Sequence, residues 1–594
     1  MTQFFKTLFA SCLGTLIALV VLFFILMGIG ASLASKGMEG GKSIHIAESS
    51  ILKIAIPEVL PEQTNNTQMA GFSFKNEQTI GVHDLAQSIR NAAKDSKIKG
   101  IYLTGQTFQH GYATLKIIRD ALLEFKEAGK PIYAFTLFLD HKNYFLLSTA
   151  DQVMLHPLGF VDLRGFGASI PFFKEMMEKI GLSFNIYYAG EFKSATEPFR
   201  LAKMSPENRL QISEYLNEQL DIYSDQIALS RNMSSTDLKA IFAEFKAHSP
   251  NKAKELKIVD GLNYEIDAIN ALKEKAGIAA DSKTEFVSIQ DYFHVNGKLD
   301  QDYNSKSRIA IVFAEGNITD AKGQEGEIGR KYLKIFQDIR ENKNIKAVVL
   351  RVNSGGGSAI MSDEILHEID QLRTEGKPVV VSMGDYAASG GYYIACHADS
   401  IFASPHTLTG SIGVFAMIPN VKEMMGEKLG IDMDTVGTGP MASKFNTSFA
   451  WGATEASIIQ ANIDQVYETF LGVVSKGRSM TRDEVHEIAR GRIWSGRKAK
   501  ELGLVSSIGE LNDAINAAAS LASVEHYRTE EYPRQKDPIQ KIMDQLQGND
   551  EISESIKEAI LRENLGEYYP YIKDWKKIRS SKGAQMLLPV KPVF

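Results

Sequence analysis

The stretch Thr409-Gly410-Ser411-Ile412-Gly413 sets a serine among small residues, and the glycines at 410 and 413 permit a tight, exposed turn. Upstream, Arg351-Val352-Asn353-Ser354-Gly355-Gly356-Gly357-Ser358 places three glycines after an apolar run. Such a backbone can approach a ligand closely and aim N–H groups at it. A plain flexible turn is the bland reading. A phosphate loop is a weaker one, because neither G-x-G-x-x-G nor G-x-x-x-x-G-K-[ST] occurs. A serine hydroxyl is a poor nucleophile without a base. His397 and His406 are near Ser411 in sequence, but neither sits in a pattern that names it a base. The other route is a lysine whose ammonium has been made neutral by burial or by a positive field. Lys193, in Ala189-Gly190-Glu191-Phe192-Lys193-Ser194-Ala195, sits among small and apolar residues and fits that description. A structural serine and a solvated lysine are the alternatives to a Ser–Lys pair.

Comparing the chain with itself favours the pair. Ile98-Lys99-Gly100-Ile101-Tyr102-Leu103 matches Ile345-Lys346-Ala347-Val348-Val349-Leu350, an offset of 247 (345 − 98). At the same offset Gly129-Lys130-Pro131-Ile132 matches Gly376-Lys377-Pro378-Val379. Ala150-Asp151, Lys174-Glu175-Met176-Met177 and Ala253-Lys254-Glu255-Leu256 recur in order at Ala398, Lys422 and Ala499, the offset drifting by only a residue or two. The chain therefore holds two copies of one domain. Each reads as α/β: runs such as Ile309–Phe313, Ala347–Val352 and Val379–Ser382 alternate with helical stretches. In Asp363–Thr374, Ile365, Ile369 and Leu372 share one face. Strand–helix–strand alternation predicts parallel strands joined by right-handed crossovers. Asn304–Ser307 reads as the linker.

The copies differ where the chemistry would be. The glycine run of the second copy is Thr104-Gly105-Gln106-Thr107 in the first, and Ser411 aligns with Leu163. Conversely, Lys193 aligns with Ala442. Each copy lacks what the other has, as expected of one site assembled from both halves.

The 594 residues exceed what one core accommodates. A net charge of -6 without a dense Lys/Arg cluster argues against nucleic acid. Cys12 and Cys396 lie in unrelated segments and form no disulfide framework. Thr7 to Ser35 carries no charge, and Leu13 to Ile29 is apolar but for Thr15. That is long enough to span a bilayer and longer than the apolar core of a cleaved signal peptide. Lys6 before it and Lys36 and Lys42 after it give too weak a bias to set its orientation.

At Phe192-Lys193-Ser194-Ala195-Thr196-Glu197-Pro198-Phe199, Ser389-Gly390-Gly391-Tyr392-Tyr393 and Leu408-Thr409-Gly410-Ser411-Ile412-Gly413-Val414 the chain resembles the signal peptide peptidase A (protease IV) family in its long, duplicated, membrane-anchored form. The resemblance runs from about Ile51 to Ile508. It implies a fold similar to the Clp protease and crotonase superfamily, in two tandem repeats after one N-terminal transmembrane helix. It also implies Ser411 as nucleophile, Lys193 as base, and the amides of Gly357 and Ile412 as the oxyanion hole, with no cofactor and no metal. The expected organisation is a stub (1–6), an anchor (7–35), the Lys-bearing repeat (45–303), the Ser-bearing repeat (308–530) and a helical tail (531–594). The implied partners are signal peptides and other apolar peptides, the bilayer, and copies of itself, a tetramer in the family's manner. The implied location is the outer, periplasmic face of the bacterial inner membrane. One departure is visible: the loop reads Asn-Ser-Gly-Gly-Gly-Ser where the family usually has Asp-Ser-Pro-Gly-Gly-Ser. A catalytically silent scaffold and a crotonase-like acyl-CoA enzyme are the competing readings. The latter would need acid/base carboxylates in place of Ser411 and Lys193.

Overall fold

The fold is that of a computed structural model, which describes residues 46–64, 79–105, 108–279, 285–296, 302, 304–320, 326–534 and 585–587. The expected stub and membrane anchor lie outside them. Among the described residues no helix is long and apolar enough to cross a membrane.

The duplication is explicit in the sheets. In the first copy, six strands run in the spatial order Gly261–Leu262, Gln152–Asp162, Ile132–Asp140, Ile98–Thr104, Ser50–Ala55, Phe286–Ser288, every neighbouring pair parallel. The second copy repeats that order with Ser507–Ile508, Ser400–Ala403, Val379–Ala388, Ile345–Ser354, Arg308–Glu315 and Arg528–Tyr532, again parallel. Even the register is kept: Ile101 pairs with Ile132, and Val348, 247 residues on, pairs with Val379. The strands expected at Ile309–Phe313, Ala347–Val352 and Val379–Ser382 are all present and longer at one or both ends.

Parallel sheets need cover on both faces, and the strand residues divide accordingly. Ile309, Ile311 and Phe313 pack under helix Leu511–Leu521 with Leu511, Ala514 and Ala518. The alternate residues Ala310, Val312 and Ala314 face the main core with Ile365, Ile369 and Leu372 of helix Ala359–Thr374. Each Ile, Val, Leu or Phe side chain among them contributes about 1.5–3 kcal/mol when taken from water. The helix starts four residues before the expected Asp363, because Ser358 accepts a hydrogen bond from the Met361 amide and caps it. Both copies also carry a 26-residue helix, Pro206–Arg231 and Ala453–Arg478, each ended by a left-handed residue, Asn232 and Ser479.

Polar contacts between the copies fix their orientation. The Asp385 carboxylate of the second copy accepts from the Gly111 and Thr114 amides (2.9 Å each) and the Thr114 hydroxyl. It thus caps helix Tyr112–Glu127 of the first copy, whose own N-cap is a glycine. Glu62 is buried against Arg351, with Nε 3.0 Å from its carboxylate, and takes a further bond from the Asn353 side-chain amide. Burial alone would raise the Glu62 carboxyl, but Arg351 and His83 outweigh it and hold the group well below the usual carboxylate range.

A third sheet joins the copies. Strand Val414–Asn420 pairs antiparallel with Ser183–Ala189 of the first copy over seven residues, from Val414 opposite Ala189 to Asn420 opposite Ser183. The same sheet contains Gly356–Ser358 and, between it and Val414–Asn420, the strand Gln585–Leu587. Two expectations about the tail need correcting. The repeat continues through strand Arg528–Tyr532, so the tail begins beyond Tyr532 rather than at 531. Residues 585–587 are a strand, not part of a helix, because they have two strand edges to pair with. The helical expectation for 535–584 falls outside the described residues.

Candidate active site

The joining sheet explains how residues 218 positions apart meet. In an antiparallel pair, moving backward on one strand and forward on the other leads to the same end. Ala189 is opposite Val414. Three residues before Val414 is Ser411, and four residues after Ala189 is Lys193. The Lys193 Nζ lies 3.0 Å from Ser411 Oγ, 3.0 Å from the Ser411 carbonyl oxygen and 2.8 Å from Ser389 Oγ.

Lys193 is fully buried, and burial drives its pKa well below the ordinary 10.5; no carboxylate among the described residues acts on it to oppose that fall. A neutral amine has two N–H donors and one lone pair. The donors satisfy Ser389 Oγ and the Ser411 carbonyl, which leaves the lone pair for the Ser411 hydroxyl proton. Ser411 and Ser389 both stand at left-handed backbone angles, φ +51° and +56°, unusual for non-glycine residues. Such conformations cost roughly 1–3 kcal/mol and persist where surrounding structure imposes them. Here the Ser411 amide donates to the Arg492 carbonyl (2.7 Å), and the Ser389 amide to that of Gly410 (2.8 Å).

The segment Arg490-Gly491-Arg492 splints the two halves of the pair. The Phe192 amide donates to the Arg490 carbonyl, the Gly491 amide to that of Ile412, and the Ser411 amide to that of Arg492. Gly491 has φ +80°, and a Cβ there would lie 2.6 Å from the Lys193 amide nitrogen and 2.7 Å from its Cα. Gln211, buried on helix Pro206–Arg231, donates to the Phe192 carbonyl and Ser194 hydroxyl and accepts from the Ile493 amide. Gly491→Ala should therefore displace the lysine while leaving both cores intact. A misplacement of about 1 Å costs roughly 100-fold in rate, so a fall in kcat of that order is expected from a well-folded variant. Wild-type turnover by Gly491→Ala would show that the splint does not position Lys193.

The glycine run lies at the same site. Gly357 passes so close to Ile318 that a Cβ would meet its carbonyl oxygen at 1.9 Å. A Cβ on Gly390, beside Ser389, would be 3.1 Å from the Gly357 nitrogen. Ile412, the other expected oxyanion donor, follows Ser411 directly and is fully buried. The structure also gives a reason for Asn353. Its side chain donates to Glu62 and accepts from the Tyr386 amide. A carboxylate there could not donate and would face Glu62.

Among the described residues the first copy has no counterpart at the aligned positions. Leu163, aligned with Ser411, is fully buried in the first core, and Gly105 is pressed against Thr136. Ala442, aligned with Lys193, is exposed. The histidines near Ser411 in sequence are structural. His397 bonds Asp370 and the Val473 carbonyl, and His406 is buried between Gln219 and Gln226 with its pKa pushed down to about 3. The sequence marks Ser389 as part of a motif but assigns it no role, and it does not mark the 490–492 splint. The Ser389-Gly390-Gly391 triplet was the only signal, since the splint works through backbone groups.

Comparisons with known proteins identify the family. The model of peptidase family S49 matches twice, at residues 124–279 and 371–525, once in each copy. Protease 4 of Haemophilus influenzae is 35% identical over 75% of this chain and 73% of its own length. Protease 4 of Salmonella typhi is 32% identical over 89% of this chain and 87% of its own. A putative signal peptide peptidase of Enterococcus faecium is 33% identical over 40% of this chain and 71% of its own length. With the family matched in both copies and relatives covering most of the chain, this protein is a serine peptidase and belongs to peptidase family S49.

Proposed function

We propose that this chain is an endopeptidase using a Ser411–Lys193 dyad, and that its substrates are apolar peptides, among them signal peptides left in the membrane after secretion. The observation that carries the dyad is the 3.0 Å approach of a fully buried, charge-depleted Lys193 amine to the Ser411 hydroxyl. Lys193 Nζ takes the hydroxyl proton as Ser411 Oγ bonds to the scissile carbonyl carbon. The carbonyl oxygen becomes an oxyanion facing the amides of Gly357 and Ile412, each worth roughly 3–4 kcal/mol to the transition state. The Lys193 ammonium then returns the proton to the leaving nitrogen, and the C–N bond breaks to give an acyl-Ser411 ester. Water, deprotonated by the same amine, hydrolyses the ester and restores both residues. Ser389, accepting from Nζ, fixes the direction of the lone pair.

The signal-peptide reading is supported by the printed name of the Enterococcus relative and by the family resemblance. The uncharged stretch 7–35 would tether the catalytic repeats, 45–303 and 308–532, to the outer face of a bacterial inner membrane, where such peptides reside. Exposed Leu429, Ile431, Met433, Val436 and Phe445 support assembly with further copies of the chain. The test is a fluorophosphonate applied to the full-length protein in detergent. Labelling of Ser411, blocked by prior incubation with an apolar peptide, is the expected result. No labelling of folded protein would overturn the dyad.

A further inference from the structure

A buried side-chain amide stands behind the lysine. Gln211 is on helix Pro206–Arg231 of the first copy and only 2% exposed. Its Nε2 is 3.0 Å from the Phe192 carbonyl oxygen and 3.0 Å from Ser194 Oγ, on the residues either side of Lys193. Its Oε1 accepts from the Ile493 amide at 3.3 Å, and Ile493 follows Arg492, whose carbonyl accepts from the Ser411 amide. These partners fix which way the amide faces. The Phe192 carbonyl can only accept and the Ile493 amide can only donate, so the reversed amide would lose both bonds. A second layer holds Gln211 itself. Its Nε2 is 3.1 Å from Asn208 Oδ1, and Asn208 Nδ2 donates to the Glu197 carboxylate at 2.8 Å. Glu197, four residues beyond Lys193, is fully buried and also accepts from the hydroxyl of Ser205, which caps the helix. The turn that carries Lys193 is thus tied at both ends to the start of one helix.

We propose that Gln211 is a positioning residue for the base: it holds the Lys193 turn in register with the 490–492 splint and so sets the approach of Nζ to Ser411 Oγ. The inference rests on the dyad reading above and adds what holds the lysine in place. Backbone bonds join the splint to each segment separately, whereas Gln211 bonds the lysine's segment and the splint's next residue with one side chain. A neutral amide suits the task. The charged groups on the packed elements pair elsewhere: Glu191 with Arg490, Glu214 with Arg492, and Glu197 with Ser205, Asn208 and, at 3.7 Å, Arg200. Burial therefore remains what depresses the Lys193 pKa, and a carboxylate at position 211 would work against it.

The test compares Gln211→Met and Gln211→Glu with the parent, all as full-length proteins in detergent, with thermal unfolding as the control for folding. A fluorogenic apolar peptide is the substrate, followed across pH, and a fluorophosphonate is the Ser411 probe. Methionine keeps the length and removes the bonds. It should lower kcat by roughly 100-fold, the cost of a misplacement of about 1 Å, slow labelling by a similar factor, and leave KM and the pH midpoint of kcat/KM nearly unchanged. Glutamate keeps the shape and adds a charge beside the residues that flank Lys193. It should move that midpoint up by about one pH unit, so that part of the loss at neutral pH is recovered in alkali. Parental kcat in a folded Gln211→Met, or a rise in KM alone, would overturn the inference. Parental kcat and midpoint together in Gln211→Glu would do so too, even where methionine unfolds the chain. No labelling of the folded parent would sink the dyad instead.

Discussion

Ser411→Ala is expected to fold as the parent does and to lose peptide hydrolysis by roughly 10⁴–10⁶-fold, the scale on which removal of an activated nucleophile acts. The fold should hold because the deleted atom is one hydroxyl. Ser411 is anchored by its backbone, whose amide donates to the Arg492 carbonyl, and its left-handed angle is equally strained for alanine. The lost contact is that between Oγ and Lys193 Nζ, leaving a buried amine still bonded to Ser389 and to the carbonyl of residue 411. The measurement is kcat/KM on an apolar peptide, with thermal unfolding as the control for folding. Substantial turnover by a folded Ser411→Ala would move the nucleophile elsewhere, and Ser389, the other hydroxyl on Lys193, would be the next residue to replace.

How much of this could be read from the sequence depends on what kind of group makes each contact. The duplication was legible because register is conserved along with residue type: the strand at 98–104 and that at 345–354 pair with their neighbours at matching positions. Lys193 and Ser411 were legible as a difference between the copies and through the motifs that carry the family resemblance, since nothing in their local patterns alone demands catalysis. The pairing of Val414–Asn420 with Ser183–Ala189 was not legible, because antiparallel partners far apart in sequence leave no periodic trace. The same holds for the splint at 490–492, whose three bonds to the Lys193 and Ser411 segments run between backbone groups, and for Gln585–Leu587, three residues that pair with the edges they meet. The early start of helix Ala359–Thr374 was missed because its cap, Ser358, belongs to the glycine run.

Replacing Lys193 tests the shared site most directly, because the proposed base comes from the copy that lacks the proposed nucleophile. Lys193→Met should match Ser411→Ala in lost activity, roughly 10⁴-fold or more, yet should fold well, since it exchanges a desolvated amine for an apolar group of similar length. Lys193→Arg should be as inactive, because a guanidinium keeps its proton at any usable pH. In the parent, kcat/KM should rise with pH as Lys193 loses its proton, through a midpoint well below the ordinary lysine value of 10.5. Stability carries a second signature. Between the depressed folded pKa and the ordinary unfolded one, the unfolded chain binds a proton that the folded chain does not. Stability should therefore rise with pH in that window, by up to about 1.4 kcal/mol per pH unit for one group. Below the folded pKa both states are protonated and this slope vanishes. Lys193→Met should lack this contribution, so the difference in denaturant midpoint between parent and variant should shrink or change sign as pH rises toward 10. A Lys193→Arg protein that retained substantial activity, or a midpoint difference independent of pH across that window, would mean that Lys193 is charged in the folded enzyme and that another group takes the Ser411 proton.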